Sequence, residues 1–335
     1  MKTKTRSLLG VFVGLVLVAA CAGSATTPTP QPLNEVSLQL QWVTQAQFAG
    51  YYVALEKGWY LEEGIDLTIV PGGPDITPVD LVAAGNRDFG TTLLADLIVA
   101  VQNGKPVRSI AQLQQRNGLV LVAFKESGIE EPQDFRDKIV GVWLGSWEAQ
   151  FYALMAQEGL TSADYTVVSQ GYSMDAFLQR DLDVASAMLY NEYHVVLESG
   201  IAAEELNVID YADYGLGFPG DTLFTSSQLA EQNPELCVRM VRASLRGWQY
   251  AIDHPEEAAD IVLKYDTTKT QTRPHQLTMM QEIAKLISIQ DQPLGYTDEA
   301  TVQGVIDLLL QYGVLDEPVL ASDVWDETFW KQVNP

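Results

Sequence analysis

From residue 36 onward the chain alternates between two hydrophobic periods. Ser37 to Trp42 (SLQLQW) puts polar and apolar side chains on opposite faces with period two, the pattern of a half-buried strand. Ala46 to Lys57 changes to helical spacing and closes at Gly58, and Ile65 to Val70 alternates again until Pro71-Gly72-Gly73-Pro74 breaks it. A short helix from Pro78 to Ala84, a strand from Asp88 to Leu93 and a helix from Leu94 to Gln102 follow. Strands are predicted at Ser109 to Gln114 and Leu119 to Phe124, with Arg116-Asn117-Gly118 as a hairpin-like turn between them. A short helical piece covers Pro132 to Asp137. The next strands cover Ile139 to Trp143, Tyr165 to Ser169 and Val184 to Tyr190, separated by helices over Trp147 to Gln157 and Met174 to Arg180. Beyond Gly200 the pattern loosens. Helical spacing then returns over Pro234 to Ile252, Pro255 to Lys264, His275 to Leu286 and Asp298 to Gly313. Strand–helix alternation followed by a helical tail predicts an α/β fold with covered sheets.

The first residues obey neither period. Lys2, Lys4 and Arg6 precede an apolar run from Leu8 to Ala20, too short to span a bilayer comfortably and flanked like a secretory signal. Val18-Ala19-Ala20-Cys21 resembles a bacterial lipobox, in which the cysteine is lipidated and becomes the mature N-terminus. An ordinary signal peptide with an incidental cysteine is the alternative. Residues 22–34, rich in Ser, Thr and Pro, suit an extended tether. Signal (1–20), lipidated Cys21 with tether (21–35) and folded chain place the protein outside the cytoplasmic membrane, held by lipid alone.

Charge narrows the function. The 335 residues carry 44 Asp plus Glu against 20 Lys plus Arg, a formal charge of −24, and loss of the three basic residues with segment 1–20 takes it to −27. Such a balance excludes a nucleic-acid partner, which needs clustered positive charge. Two cysteines, Cys21 and Cys237, exclude a disulfide scaffold, and abundant apolar residues exclude disorder.

Three strand ends have binding geometry, because ligands of open α/β sheets gather beyond the carboxyl ends of strands. The first places Trp42, Gln45, Gln47 and Phe48 between a strand and a helix; Phe48, Tyr51, Tyr52 and Leu55 also share a helical stripe, so part of this set is core. Thr91 and Thr92 close a neighbouring strand. The second end is Trp143-Leu144-Gly145-Ser146-Trp147-Glu148, where Ser146 suits a helix cap and the two tryptophans form either a flat wall or ordinary core. The third is Tyr190-Asn191-Glu192-Tyr193, two rings flanking an amide and a carboxylate.

Catalytic signatures are scarce. His194, His254 and His275 lie in different segments without metal-ligand spacing, and neither a GxSxG elbow nor a P-loop is present. Gly215-Leu216-Gly217-Phe218-Pro219-Gly220 matches GxGxxG but lacks the strand–turn–helix context of a dinucleotide site and reads as a flexible loop. Cys237 lies in a helical pattern as a buried, inert thiol. No pair among the 44 acids is singled out for hydrolysis. The residues favour binding over catalysis, with neither cofactor nor metal.

Ala46 to Gly64 (AQFAGYYVALEKGWYLEEG) with Ile65 to Gly73, Gly85 to Gly90 (GNRDFG), Lys138 to Trp143 and Asp183 to Gly200 together resemble the substrate-binding proteins of ABC importers. The group that binds thiamine-pyrimidine precursors, nitrate, sulfonates, taurine or riboflavin is the one they are similar to. The resemblance implies a two-lobed periplasmic-binding-protein fold of type II that closes on a ligand between its lobes. It implies one lobe from residues 36–122 and 222–330 and the other from 123–221, with the 215–220 loop at a crossing. It also implies an ABC permease and its ATPase as partners. Related eukaryotic pyrimidine synthases carry a cysteine-rich motif and a substrate histidine; this chain has no clustered cysteines.

The candidate ligand residues are Trp42, Gln47, Phe48, Tyr51, Thr91, Thr92, Trp143, Trp147, Tyr190, Asn191 and Glu192. Rings and amides with hardly any Lys or Arg suit a flat, neutral heterocycle rather than an oxyanion. Riboflavin fits the abundance of rings and of Gln, Asn and Thr. A thiamine pyrimidine precursor such as formylaminopyrimidine fits one stacking pair plus an acid, which Glu192 could supply.

Overall fold

The computed structural model describes residues 33–334 apart from 145–146 and 290–291. The expected signal, Cys21, most of the tether and the Ser146 cap lie outside the described residues. Among the described residues, no helix is long and apolar enough to cross a membrane.

Ten strands form two five-stranded sheets. The first has the order β2-β1-β3-β10-β4, from β1 (Asn34–Gln39), β2 (Ile65–Val70), β3 (Phe89–Leu93), β4 (Val107–Gln112) and β10 (Asp221–Ser226). The second has the order β7-β6-β8-β5-β9, from β5 (Leu119–Phe124), β6 (Ile139–Val142), β7 (Thr166–Ser169), β8 (Val184–Met188) and β9 (Leu206–Asp210). Half of the neighbouring pairs are parallel, such as β1 with β2 in the register Asn34 to Ile65 through Gln39 to Val70. In each sheet one strand runs antiparallel to both neighbours: β10 between β3 and β4, β5 between β8 and β9. Each of these strands directly follows a passage from the other sheet.

Those two passages revise two expectations. Residues 113–118 do not make a hairpin between β4 and β5, since these strands belong to different sheets. A polar Gly-containing tripeptide between two apolar runs has the same local signature for a hairpin as for a crossing. The first crossing therefore ends before β5, not at residue 122. The return passage, 211–220, contains the GxGxxG match, and it is not a loose loop. Leu216, Phe218 and Gly220 are buried, the Asn117 amide donates to the Phe218 carbonyl (2.7 Å) and the Gly220 amide to the Gln114 carbonyl (3.0 Å). Two hydrogen-bonded crossings side by side make a narrow hinge between the lobes.

The helical tail covers the first sheet. Strand β1 leads through a short 3₁₀ turn, Ala46–Phe48, into α1 (Ala49–Glu56). Helix α2 (Leu94–Gln102) follows β3, α3 (Ala149–Gln157) follows β6 and α4 (Glu192–Glu198) follows β8. The tail comprises α5 (Pro234–Asp253), α6 (Pro255–Tyr265), α7 (Arg273–Ile287) and α8 (Glu299–Gln311). Asn233 and Asp298 cap α5 and α8 with side-chain oxygens. Helix α5 lies so close to α1 that a Cβ on Gly247 would collide with the Gly50 carbonyl oxygen, and one on Gly50 with the Trp248 ring. Gly247→Ala is therefore expected to lower stability by about 1–3 kcal/mol in chemical denaturation, because backbone cannot move aside as a side-chain tip can.

Candidate functional site

The two lobes meet through an aromatic cluster. Trp42 leaves the first lobe two residues past its neighbour Leu40, whose amide donates to the Val70 carbonyl (2.9 Å). The Gln41 amide donates to Thr91 Oγ1 (3.0 Å) and the Gly72 amide to the Trp42 carbonyl (2.8 Å), so the ring is launched from a fixed backbone. Across the cleft its centroid lies 5.0 Å from Trp147, 5.1 Å from Tyr172 and 5.9 Å from Trp143. Trp143 and Trp147 stand 85° to one another, 5.3 Å apart. They form a corner rather than a flat wall, because Trp143 ends the strand while Trp147 belongs to the turn into α3. Trp143 Nε1 donates to the Gly171 carbonyl (3.2 Å), holding the segment that carries Tyr172.

Beside this cluster lies a cavity of about 420 Å³, inside the range of about 300–1,000 Å³ common for small-molecule sites. Trp42, Thr92, Trp143 and Trp147 line it, together with Gln41, Asp96, Glu148 and Tyr152. The cavity thus joins strand ends of one lobe to the start of α3 in the other. Asp96, in the first turn of α2, has its carboxyl held well above the usual carboxylate range, first by burial and then by Glu148. Among the described residues of the cavity wall, Lys105 is the single Lys or Arg, and its Nζ is paired with Asp80 at 3.0 Å.

Behind Trp42, at the hinge, sits a buried polar cluster. Asp221 accepts from Gln41 Nε2 (2.7 Å) and Gln47 Nε2 (2.8 Å), and Gln45 Nε2 donates to Gln47 Oε1 (2.9 Å). Burial pushes the Asp221 carboxyl up to about 7 against the pull of both amides. The Tyr51 and Tyr190 hydroxyls are raised well above their ordinary value, chiefly by burial, with Asp221 adding to it. Tyr190 OH and both amide atoms of Gln114 are buried without a hydrogen-bond partner among the described residues.

The remaining candidates fall outside the cavity wall. Phe48 is fully buried in the core of the first lobe, and Tyr51 packs edge-on against Trp248 (5.7 Å). Asn191 and Glu192 join a separate network at the start of α4. Glu192 Oε2 accepts from the Met188 amide (2.9 Å) and Oε1 from Asn191 Nδ2 (2.6 Å), while burial still raises its carboxyl to about 7. His275 of α7 faces Asn191 Oδ1 through Nε2 (2.9 Å) and Glu198 Oε1 through Nδ1 (3.0 Å), tying α4 to the helical tail. Cys237 is fully buried, and burial pushes its thiol up to about 12. Among the described residues no group of His, Cys, Asp and Glu could hold a metal ion.

Sequence reasoning passed over Tyr172, Asp96 and Asp221, and left Glu148 of the second strand end out of the ligand candidates. Tyr172 and Asp96 obey the same strand-end rule that singled out Trp42, following β7 and β3. Asp221 opens a strand whose pattern, Asp221 to Ser226, does not alternate.

Residues 45–258 match the NMT1/THI5-like family. The chain belongs to this family. It is 29% identical to riboflavin-binding protein RibY of Chloroflexus aurantiacus, over 96% of each chain. It is 22% identical to a formylaminopyrimidine-binding protein of Halalkalibacterium halodurans, over 96% of this chain and 98% of that one. Family members named 4-amino-5-hydroxymethyl-2-methylpyrimidine phosphate synthase also match, over 67–68% of this chain. Among solved structures it is similar to the periplasmic nitrate-binding protein NrtA of Synechocystis PCC 6803, with a TM-score of 0.71 at 14% identity, over 90% of this chain and 88% of that one. Two α/β lobes around a hinge are thus the periplasmic-binding-protein fold, as the resemblance implied.

Proposed function

We propose that this NMT1/THI5-like protein is the extracytoplasmic substrate-binding component of an ABC importer. In this reading Cys21 carries the lipid anchor, and the cleft captures a flat aromatic vitamin, riboflavin, for delivery to a membrane permease and its ATPase. The observation that carries the reading is the meeting of Trp42 with Trp143 and Trp147 across the lobes, at the wall of a cavity large enough for a vitamin. Rings from both lobes offer stacking surface to a flat heterocycle, and lobe closure brings them to it together. The similarity to RibY along nearly the whole chain supports the same ligand. Catalysis has less support, because the chain lacks the clustered cysteines expected of the eukaryotic pyrimidine synthases.

Formylaminopyrimidine is the second reading. The relative named for it and the acids of the cavity wall, which suit an aminopyrimidine edge, favour it. Titration of purified protein separates the two. Riboflavin is expected to lose fluorescence saturably at one site per chain and, at about 100 times Kd, to stabilise the fold by about 2.7 kcal/mol. A thermal shift with formylaminopyrimidine and none with riboflavin reverses the order. Stabilisation by sulfonates or nitrate alone removes both.

A further inference from the structure

The cavity beside Trp42 has a charge pattern that stacking alone does not require. Among the described residues its wall contains three acids, Asp80, Asp96 and Glu148, and one base, Lys105. Lys105 and Asp80 pair with each other at the solvent-exposed rim, and so offset one another. No ion pair among the described residues engages Asp96 or Glu148. They come from opposite lobes, Asp96 from the first turn of α2 and Glu148 from the residue preceding α3. Asp96 Oδ2 is buried and lacks a hydrogen-bond partner among the described residues. A buried polar atom left unpaired is unfavourable, and in a cavity wall the missing partner is a polar group of the occupant.

We propose that Asp96 and Glu148 are the specificity-determining pair of this cleft, exchanging hydrogen bonds with hydroxyl or N–H groups of a neutral ligand and excluding its phosphorylated or sulfonated counterparts. The inference rests on the vitamin reading for the identity of the neutral ligand, but not for the exclusion of anions. Asp96, its proton held by burial and by Glu148, can donate through one oxygen and accept through the other. A phosphate or sulfonate placed within reach of Glu148 meets a like charge in a poorly screened setting, with no free Lys or Arg among the described residues of the wall to offset it. Selectivity then comes from a repulsive element as much as from attraction.

The test titrates wild type, Asp96→Asn, Glu148→Gln and the double variant with riboflavin, riboflavin 5′-phosphate and ethanesulfonate, with thermal melts to confirm folding. Both substitutions keep side-chain shape and hydrogen-bonding capacity; Glu148→Gln removes a charge, and Asp96→Asn removes a group that can ionise. Wild type is expected to prefer riboflavin over its phosphate by about 100-fold, and the double variant to lose at least about tenfold of that ratio. A wild type that binds both within a few-fold, or a ratio unchanged in the double variant, overturns the inference. Failure of the vitamin reading looks different: wild type ignores riboflavin. The ratio is then read with 4-amino-5-hydroxymethyl-2-methylpyrimidine and its phosphate. If neither neutral compound binds, ethanesulfonate decides. Its binding to wild type, or to neither protein, overturns exclusion, and its binding to the double variant alone supports it.

Discussion

Trp42→Ala is expected to weaken riboflavin binding by about 2–3 kcal/mol, roughly 30–150-fold, in a fluorescence titration. The ring projects from a backbone fixed by Thr91 and Gly72, and its three aromatic neighbours all belong to the other lobe. A ligand stacked there gains from Trp42 twice: directly, through ring contact, and indirectly, because the ring helps the lobes close around it. Trp42→Phe keeps a smaller stacking face and is expected to recover part of the loss. Trp42 is also buried, so truncation lowers stability as well, and a buried Trp→Ala substitution in a tightly packed core costs about 3–5 kcal/mol. The two roles separate experimentally. A large fall in melting temperature with unchanged riboflavin affinity would make Trp42 an interlobe packing residue and sink its role in the site.

The aromatic residues at strand ends were legible in the sequence because two signals coincide there. The predicted strands end at Trp42 and at Trp143, and helical spacing begins a few residues later, so the topology itself points those side chains beyond the sheet. The same logic failed for Phe48 and Tyr51. Phe48 closes the 3₁₀ turn and Tyr51 lies on α1, which is buried from Ala49 to Ala54 and has no polar face to mark which stripe turns inward. Strand β10 escaped for a related reason: it is buried along almost its whole length, so no alternation betrays it. The hairpin expected at Arg116 to Gly118 shows the limit of local chemistry. Turn residues say that the chain changes course, whereas the choice between folding back and crossing to a second sheet depends on pairing partners far along the chain. Asn191 and Glu192 were brought forward by composition, yet the structure engages them with the Met188 amide and with His275, a partner 84 residues downstream of Asn191. Long-range partners of this kind leave no mark on a single segment.

The same long-range logic gives the hinge a pH dependence, argued through Asp221. Its carboxyl is buried between Gln41 and Gln47, and burial raises it to about 7 from an ordinary value of 3.8. A carboxyl raised in the folded state binds its proton where the unfolded chain has already lost it. Between about pH 4 and about pH 7 the native state therefore holds more protons than the unfolded state, and stability falls as pH rises. The contribution is full below about 4 and gone above about 7. At about 1.4 kcal/mol per unit, Asp221 alone accounts for up to about 4 kcal/mol across that window. Glu192, raised to about 7 as well, acts in the same direction. The neutral form has a ready acceptor, since turning the Gln41 amide presents its otherwise unpartnered Oε1 to the Asp221 proton. Asp221→Asn keeps the shape and removes the titration, while leaving Glu192 in place. The variant is expected to match wild type near pH 4.5 and to exceed it by about 2–4 kcal/mol at pH 8 in denaturant unfolding, with the gap opening between pH 5 and 7. A difference that stays constant with pH would mean that the lobes open enough at the hinge for water to reach Asp221, and that its carboxyl titrates as it does in the unfolded chain.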